Sequence, residues 1–495
     1  MSDFSFDNSY ARELPGFYAP WQPEPSMQPE LLYLNISLAE QLGLNLQQDK
    51  AVLAELFTGN RLPEGAEPIA QVYAGHQFGQ FNPQLGDGRA LILGEVIDRQ
   101  GNRFDIAFKG SGRTPFSRGG DGKAAIGPML REVLVGEAMY ALGVPTTRSL
   151  AVAGTGGAVS RGRERPGAVL TRVAASHIRI GTFQFFAARQ EHDEVKRLAD
   201  YSIARHDPEL AGADNPYLAF LRAVTRRQAA LVAQWMGLGF IHGVMNTDNM
   251  SISGETIDYG PCAFMEAYHP EAVFSSIDHQ GRYAYQNQPR IAQWNLARFA
   301  ETLLPLLAKE QQLAVDTANE VVQSFTETYQ QYWLERMRAK LGLTEAGGEA
   351  EQDKALAEEW LTLLQTHKVD FTLAWRRLAD AAAGDTDKLN ALFPEPEAVQ
   401  DWLDKWQARC AAQDSAAQQA AERARNMRAV NPWLIPRNHR VEEALAAASD
   451  SGDLKPFEQL LAALERPYEE RPEAAEFAEP ATPAFTASYM TFCGT

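Results

Sequence analysis

The sequence predicts an α+β chain built as two lobes, strands first and helices after, with an N-terminal extension and a helical C-terminal region. Three observations carry this. Glycine and β-type residues are dense from residue 66 to about 130, helical periodicity takes over from about 176, and Ala, Glu and Gln dominate from about 345. The expected units are an extension over 1–65, a β-rich lobe over 66–175, a helical lobe over 176–340, and a helical region with a tail over 341–495.

Taken in order, residues 1–65 mix aromatics, prolines and one short amphipathic segment, ISLAEQLGL, and read as an extension packed on the main body. RALILGEVID (89–98) and RFDIAFKG (103–110) read as strands joined by the turn RQGN, a β-hairpin. PMLREVLVGEAMYALG (128–143) repeats apolar residues at helical spacing between an opening Pro and a closing Gly, so it reads as a helix. RSLAVAG and GAVLTRVA add two strands. LAFLRAVTRRQAALVAQWMGLG (218–239) is a long helix, and RIAQWNLARFAETLLPLLA another. ARCAAQDSAAQQAAERARNMRAV typifies the helical C-terminal region, and the last stretch, ERPEAAEFAEPATPAFTASYMTFCGT, reads as an extended or mobile tail. No repeat of fixed period is visible.

At 495 residues the chain is too long for one ordinary core, and 45% hydrophobic with 22% charged residues is the balance of a globular protein. A net charge of -18 argues against generic binding to nucleic acid or anionic membranes, so neither is expected as a partner. The three cysteines, Cys262, Cys410 and Cys493, are too few for a disulfide framework and lack metal-ligand spacing. A reducing, cytoplasmic setting is expected. MSDFSFDNSYARELPGFYAP has the pattern of neither a signal nor a transit peptide. The most apolar stretch, ALVAQWMGLGFIHGVM, is too short and interrupted to span a bilayer.

The chemistry concentrates in HGVMNTDNMSISGETIDYG (242–260). Protein kinases carry H-R-D-x-x-x-x-N followed by D-F-G, in which the Asn and second Asp hold metal and the first Asp accepts a proton. With Asn249 on the Asn, His242 falls on the His and Asp258 on the second Asp, but Val244 falls on the catalytic Asp. Valine accepts no proton. Asp248, beside Asn249, is a carboxylate available as a replacement base. Asn249 and Asp258 supply the oxygen donors that suit Mg²⁺ or Mn²⁺, although NTDN is also good turn chemistry. Lys109 ends IAFK on a predicted strand, the type and context of a phosphate-binding lysine. Its candidate partner is Glu132 on the following helix, with Glu137 as the competitor; the flanking apolar Leu130, Val133 and Leu134 favour Glu132. GDGR (86–89) offers Gly86 and Gly88 for close backbone approach and Arg89 for charge. KGSGRTPFSRGGDGKAA (109–125) packs five glycines with Arg113, Arg118 and Lys123 before a helix, which suits a triphosphate. Arg172 and Arg179 can pair with phosphate or with surface acids, and the sequence leaves both open. Strand, strand, helix, strand, strand, then a long helix leading into this loop, is the order of a protein-kinase-like bilobal fold.

AGHQFGQFNPQLGDGRA, FKGSGRTPFSRGGDGKAAIGPMLRE, HGVMNTDN, IDYGPCAF and MRAVNPWLIPRNHRVEEAL resemble the selenoprotein O family, pseudokinases that act as protein adenylyltransferases, and the resemblance covers nearly the whole chain. It implies ATP bound in a flipped orientation and AMP passed to Ser, Thr or Tyr hydroxyls of proteins. Residue by residue, it implies Asp248 as proton acceptor and Asn249 and Asp258 as holders of Mg²⁺ (or Mn²⁺). It implies an ATP site of Gly86, Gly88, Arg89, Lys109, Asp121, Gly122, Arg172, Arg179 and Asp258, with Lys109 paired to Glu132. Asp121 and Gly122 enter through the resemblance alone. Many members have selenocysteine where this chain has Cys493, and the resemblance implies, as in some members, a redox link from there to a cysteine after the D-Y-G motif, here Cys262, which also reads as a buried small apolar residue. Alternatives that fit the same residues are uridylyl transfer from UTP with Mn²⁺, a kinase with a relocated base, and a nucleotide-sensing scaffold without catalysis.

Overall fold

A computed structural model of the chain describes residues 4–344, 350–413 and 419–492. Strands β1 (Tyr18–Pro20), β2 (Glu30–Leu34) and β3 (Ile69–Gln71) are short, and a separate hairpin follows, β4 (Gly75–Gln77) and β5 (Gln80–Asn82). β6 (Ala90–Ile97) and β7 (Arg103–Lys109) make the expected hairpin; β8 (Ala124–Ala125) precedes a helix over Ile126–Ala141; β9 (Arg148–Arg161) and β10 (Arg163–Ala174) are long. The antiparallel sheet runs β1-β3-β6-β7-β10-β9-β2, with β8 also on β10.

Alternation along the long strands sorts their side chains to two faces. Val152, Ala168 and Leu170 pack with Met129, Leu130 and Leu134 of the Ile126–Ala141 helix and with Val441 and Phe457 from the C-terminal region. Ala151, Ala153 and Val169 point to the other face, against Leu53, Leu56 and Phe57 of the helix Lys50–Thr58. Both faces are therefore covered by helix. The sheet draws its two edge strands, β1 and β2, from the N-terminal extension, so residues 18–20 and 30–34 are part of the sheet and not merely packed on it. Three- and five-residue strands among prolines carry too little periodicity to be read locally.

The helical half is built on Pro216–Leu238, Gln288–Leu307 and Gln311–Leu341. The first opens with the Asn215 side chain accepting from Leu218 N–H at 3.1 Å and Pro216 at its first position, and it closes on Gly239 at φ 71°. Phe220 and Phe299 join the first two of these helices to each other and to Phe183 of the helix Ile180–Ala187, with ring centroids 5.0–6.2 Å apart. No helix among the described residues is long and apolar enough to cross a membrane.

The tail departs from the expected extended or mobile segment. Ala475–Ala478 and Pro483–Ser488 are short helices. Tyr489 stacks on Phe485 and donates to Glu442 at 2.9 Å. Thr491 donates its N–H to Phe274 O at 2.8 Å and its Oγ1–H to Pro261 O at 2.7 Å. Aromatic and hydroxyl side chains dock it, a signal that Pro and Ala content conceals. Cys493 lies outside the described residues; Cys262 is buried and donates to Tyr259 O.

The N-terminal segment is fastened through one buried carboxylate. Glu95 of β6 accepts from Ser9 Oγ at 2.6 Å, Tyr10 N–H at 2.6 Å, Arg103 at 3.0 Å and Arg205 at 3.2 Å. Replacing it with Ala leaves Arg205 buried with half its neutralisation. Glu95→Ala is expected to cost about 3–5 kcal/mol in urea unfolding, and to expose residues 4–14 to proteolysis before the rest of the chain.

Candidate active site

Between the sheet and the helical half lies a cleft of about 470 Å³. Gly86, Gly88, Arg89, Lys109, Asp121, Gly122, Arg172, Arg179, Asp248, Asn249 and Asp258 all line it. Glu132 stands behind Lys109. Residues up to 172 positions apart in sequence are thus gathered in one place.

Lys109 reaches it from the end of β7, Arg172 from the adjacent β10, and Asp258 from the loop before Tyr259-Gly260. Lys109 Nζ lies 2.7 Å from Glu132 Oε1 and 2.7 Å from Asp258 Oδ1. Arg172 lies 2.8 Å from the same Asp258 oxygen, and Arg179 lies 3.6 Å from the other. Burial alone would raise the Asp258 carboxyl, but these three cations hold it well below the usual carboxylate range. Asp258 takes φ 65°, left-handed for a residue other than glycine. Glu132 also accepts from Tyr259 N–H at 3.1 Å, tying helix, strand and loop together. The competitor Glu137 is engaged elsewhere, with Arg148 at 2.6 Å. Neither Arg172 nor Arg179 meets surface acids; both are buried.

Asp248 sits in a turn of 3₁₀ helix, Thr247–Asn249. Its Oδ2 accepts from Gln77 Nε2 at 3.1 Å, while its buried Oδ1 has no hydrogen-bond partner. Burial, opposed in part by Arg179, pushes its carboxyl up to about 6. Arg179 donates to the Asp248 carbonyl at 2.8 Å and so braces the turn. Asn249 donates its amide N–H to Val244 O at 3.0 Å, which leaves its amide oxygen as a possible ligand. The Asp258 carboxylate and the Asn249 amide oxygen, both hard donors, fit a divalent cation completed by phosphate oxygens. The unpartnered Asp248 oxygen is the kind of orphan that a ligand or substrate satisfies.

The glycine loop is built around close backbone approach. At φ 67°, Gly122 stands so near that a Cβ would lie 2.0 Å from Gly112 O. A Cβ on Gly86 would lie 2.5 Å from the Phe116 ring. Asp121 is held at 2.8–2.9 Å by the fork of Arg161, from the β9–β10 turn, which lowers its carboxyl to about 2.

Sequence reasoning missed several residues. Gln77 has no local signal, since its partner is 171 positions away. Asp87, inside GDGR, is buried, accepts from Gln71 N–H at 3.0 Å and lies 3.9 Å from Arg179. Behind Arg172, His177 is kept neutral mainly by burial; its Nδ1 faces Asp105 at 2.9 Å and its Nε2 accepts from Arg172 Nε at 3.3 Å. Arg131, next to Glu132, donates to the carbonyls of Tyr259, Gly260 and Cys262. The ASHIRIG run around His177 carries polar residues in an apolar context, the one signal that pointed inward.

The family model for protein adenylyltransferase SelO matches residues 1–465. The protein nucleotidyltransferase YdiU of Chromobacterium violaceum is 60% identical over 484 residues, 97% of this chain and 100% of that protein. That of Cereibacter sphaeroides is 61% identical over 493 residues, 99% of this chain and 100% of that protein. That of Rhizobium etli is 55% identical over 494 residues, 99% of this chain and 97% of that protein.

The two acidic anchors of the cleft differ in burial, and this separates their weights. Asp258→Asn removes the common anion of three enclosed cations and is expected to cost about 3 kcal/mol in urea unfolding without nucleotide. Asp121→Asn breaks a half-exposed pair and is expected to cost under about 1 kcal/mol.

Proposed function

The chain belongs to the SelO family of protein adenylyltransferases and is a protein nucleotidyltransferase; from that premise we propose that it transfers AMP from ATP to Ser, Thr or Tyr hydroxyls of proteins. The reading includes a kinase-like bilobal arrangement, with lobes over 66–175 and 176–340 flanked by the 1–65 extension and the 341–495 region. ATP lies in the cleft flipped relative to a kinase, so that its α-phosphate faces the acceptor.

The observation that carries this reading is Asp248. A carboxylate has been buried beside Val244, where a kinase base would stand, with one oxygen left unpaired and its carboxyl raised to about 6. A residue with no chemical task gains nothing from that environment. The Asp248 carboxylate takes the proton of the acceptor hydroxyl as the hydroxyl oxygen bonds to the α-phosphorus. The bond from that phosphorus to the bridging oxygen of the β-phosphate breaks, and pyrophosphate leaves. Gln77 donates to one Asp248 oxygen, so the carboxylate is oriented. Lys109, Arg172 and Arg179 neutralise the polyphosphate, exchanging part of their contact with Asp258 for phosphate oxygens. Gly86, Gly88, Arg89, Asp121 and Gly122 line the nucleotide's path. Asn249 and Asp258 hold Mg²⁺ or Mn²⁺, which when bound supplies charge neutralisation at the phosphates.

The test uses α-labelled and γ-labelled ATP in parallel, each with Mg²⁺ and with Mn²⁺, and a mixed protein acceptor. Label is expected from the α position only. Asp248→Asn is expected to lower transfer by about 10²–10⁴-fold. It should not lower the unfolding midpoint above pH 6, because the native carboxyl is raised and its ionisation there costs stability that an amide does not. Label from γ would make the protein a kinase with a relocated base. UTP that labels protein in place of ATP would make it a uridylyltransferase, and nucleotide binding without transfer would make it a scaffold.

A further inference from the structure

The acceptor side of the cleft carries a feature that nucleotide transfer does not use. The β4–β5 hairpin is bonded directly to the catalytic turn. His76 N–H donates to Thr247 Oγ1 at 2.7 Å, Gln77 to Asp248 at 3.1 Å, and Phe78 N–H to Asn246 Oδ1 at 3.0 Å. Its outer half is open to solvent, with Phe81 41% exposed. At the hairpin tip, a Cβ on Gly79 would lie only 3.4 Å from the guanidinium carbon of Arg282.

Arg282 is the odd cation of this region. Its guanidinium lies 4.8 Å from the Trp294 ring centroid. Arg298 lies 5.1 Å from the same ring, but Glu301 neutralises it at 2.5 Å. No carboxylate among the described residues lies within ion-pair distance of Arg282. Asp278, the nearest acid in sequence, spends its oxygens on the backbone N–H groups of Arg282 and Tyr283, at 2.9 and 2.8 Å. That turn is itself bonded to the catalytic loop through Tyr283 Oη and Asn246, at 2.5 Å. It also presents Ile277, 48% exposed, which lines the cleft. In a chain of net charge -18, a cation left without an acid at the tip of the hairpin that holds the base is complementary to an external carboxylate.

We propose that the hairpin tip, Phe81, Ile277 and the Arg282–Trp294 pair form the docking surface for the acceptor protein, and that it selects a hydroxyl with an Asp or Glu nearby in the same segment. The inference rests on the transfer reading above and adds the class of acceptor. The Asp248 carboxylate, held by Gln77, fixes where the hydroxyl must stand. Gln77 and Gly79 belong to one tight hairpin turn, with Phe78 at φ 51° and Gly79 at φ 82°, so the residue that holds Asp248 and the residue that meets Arg282 lie closer together than the roughly 7 Å that two residues of extended chain would span. The base and the guanidinium are therefore spanned by one short peptide, with the acidic residue within about four positions of the acceptor. Phe81 and Ile277 supply apolar contact for the intervening side chains. The phosphates have their own cations, Lys109, Arg172 and Arg179, so Arg282 is not needed for nucleotide.

The experiment compares two peptides that differ only in Glu or Lys within about four positions of a single hydroxyl, with the full chain, α-labelled ATP and divalent metal. The Glu peptide is expected to have a KM lower by about tenfold, with kcat unchanged. Arg282→Glu should reverse the preference and Arg282→Met should abolish it, with KM for ATP unchanged in both. Equal KM values for the two peptides, or a preference that survives Arg282→Glu, would overturn the docking surface and leave the transfer reading standing. Label on neither peptide nor on a mixed protein acceptor would overturn the transfer reading and this inference with it.

Discussion

The cleft depends on one shared anion. Asp258 is the meeting point of Lys109, Arg172 and Arg179, which arrive from two strands and the start of a helix. Without it, three enclosed cations would repel one another and the sheet would lose one of its ties to the Asp258 loop. Glu132 extends the arrangement by holding Lys109 and the N–H of Tyr259 together, and its neighbour Arg131 grips the carbonyls just beyond. Consecutive residues of one helix thus clamp the same loop from two sides. The left-handed backbone of Asp258, unfavourable by roughly 1–2 kcal/mol for a residue with a Cβ, is held by contacts of this strength.

Two aspartates ten residues apart are placed in opposite environments. Asp258 is surrounded by positive charge and stays ionised; Asp248 is buried with little help and is raised. Environments that drive two carboxyls apart divide labour between them. One is suited to bind cations and the other to exchange a proton. The chain as a whole is acidic, yet seven of its 46 arginines and lysines line this one space, so the cleft is suited to attract anions.

Much of this was legible in the sequence, for a physical reason. Strands β6, β7, β9 and β10 and the helix Ile126–Ala141 are long enough to show their period, and Lys109, Asn249 and Asp258 carry chemistry in short motifs. The choice of Glu132 over Glu137 followed from apolar neighbours, which mark the inward face of the helix. What escaped was encoded between distant residues. Arg172 and Arg179 look the same in sequence whether they meet solvent or Asp258. Gln77 and His177 acquire meaning only from partners across the fold. The edge strands β1 and β2 and the docked tail are held by tertiary pairing, with little local preference to announce them.

The place of β2 in the sheet has a kinetic side. Leu31 pairs with Ala153 and Leu34 with Ala151, so this edge closes a loop of more than a hundred residues. Its partner β9 is synthesised long after it. Loop-closure entropy and high contact order slow such pairing. In the interval ELLYL is an apolar strand with free N–H and C=O groups, the kind of edge that joins other chains. The segment that finishes the sheet is therefore also the one most exposed to misassembly while the protein is being made.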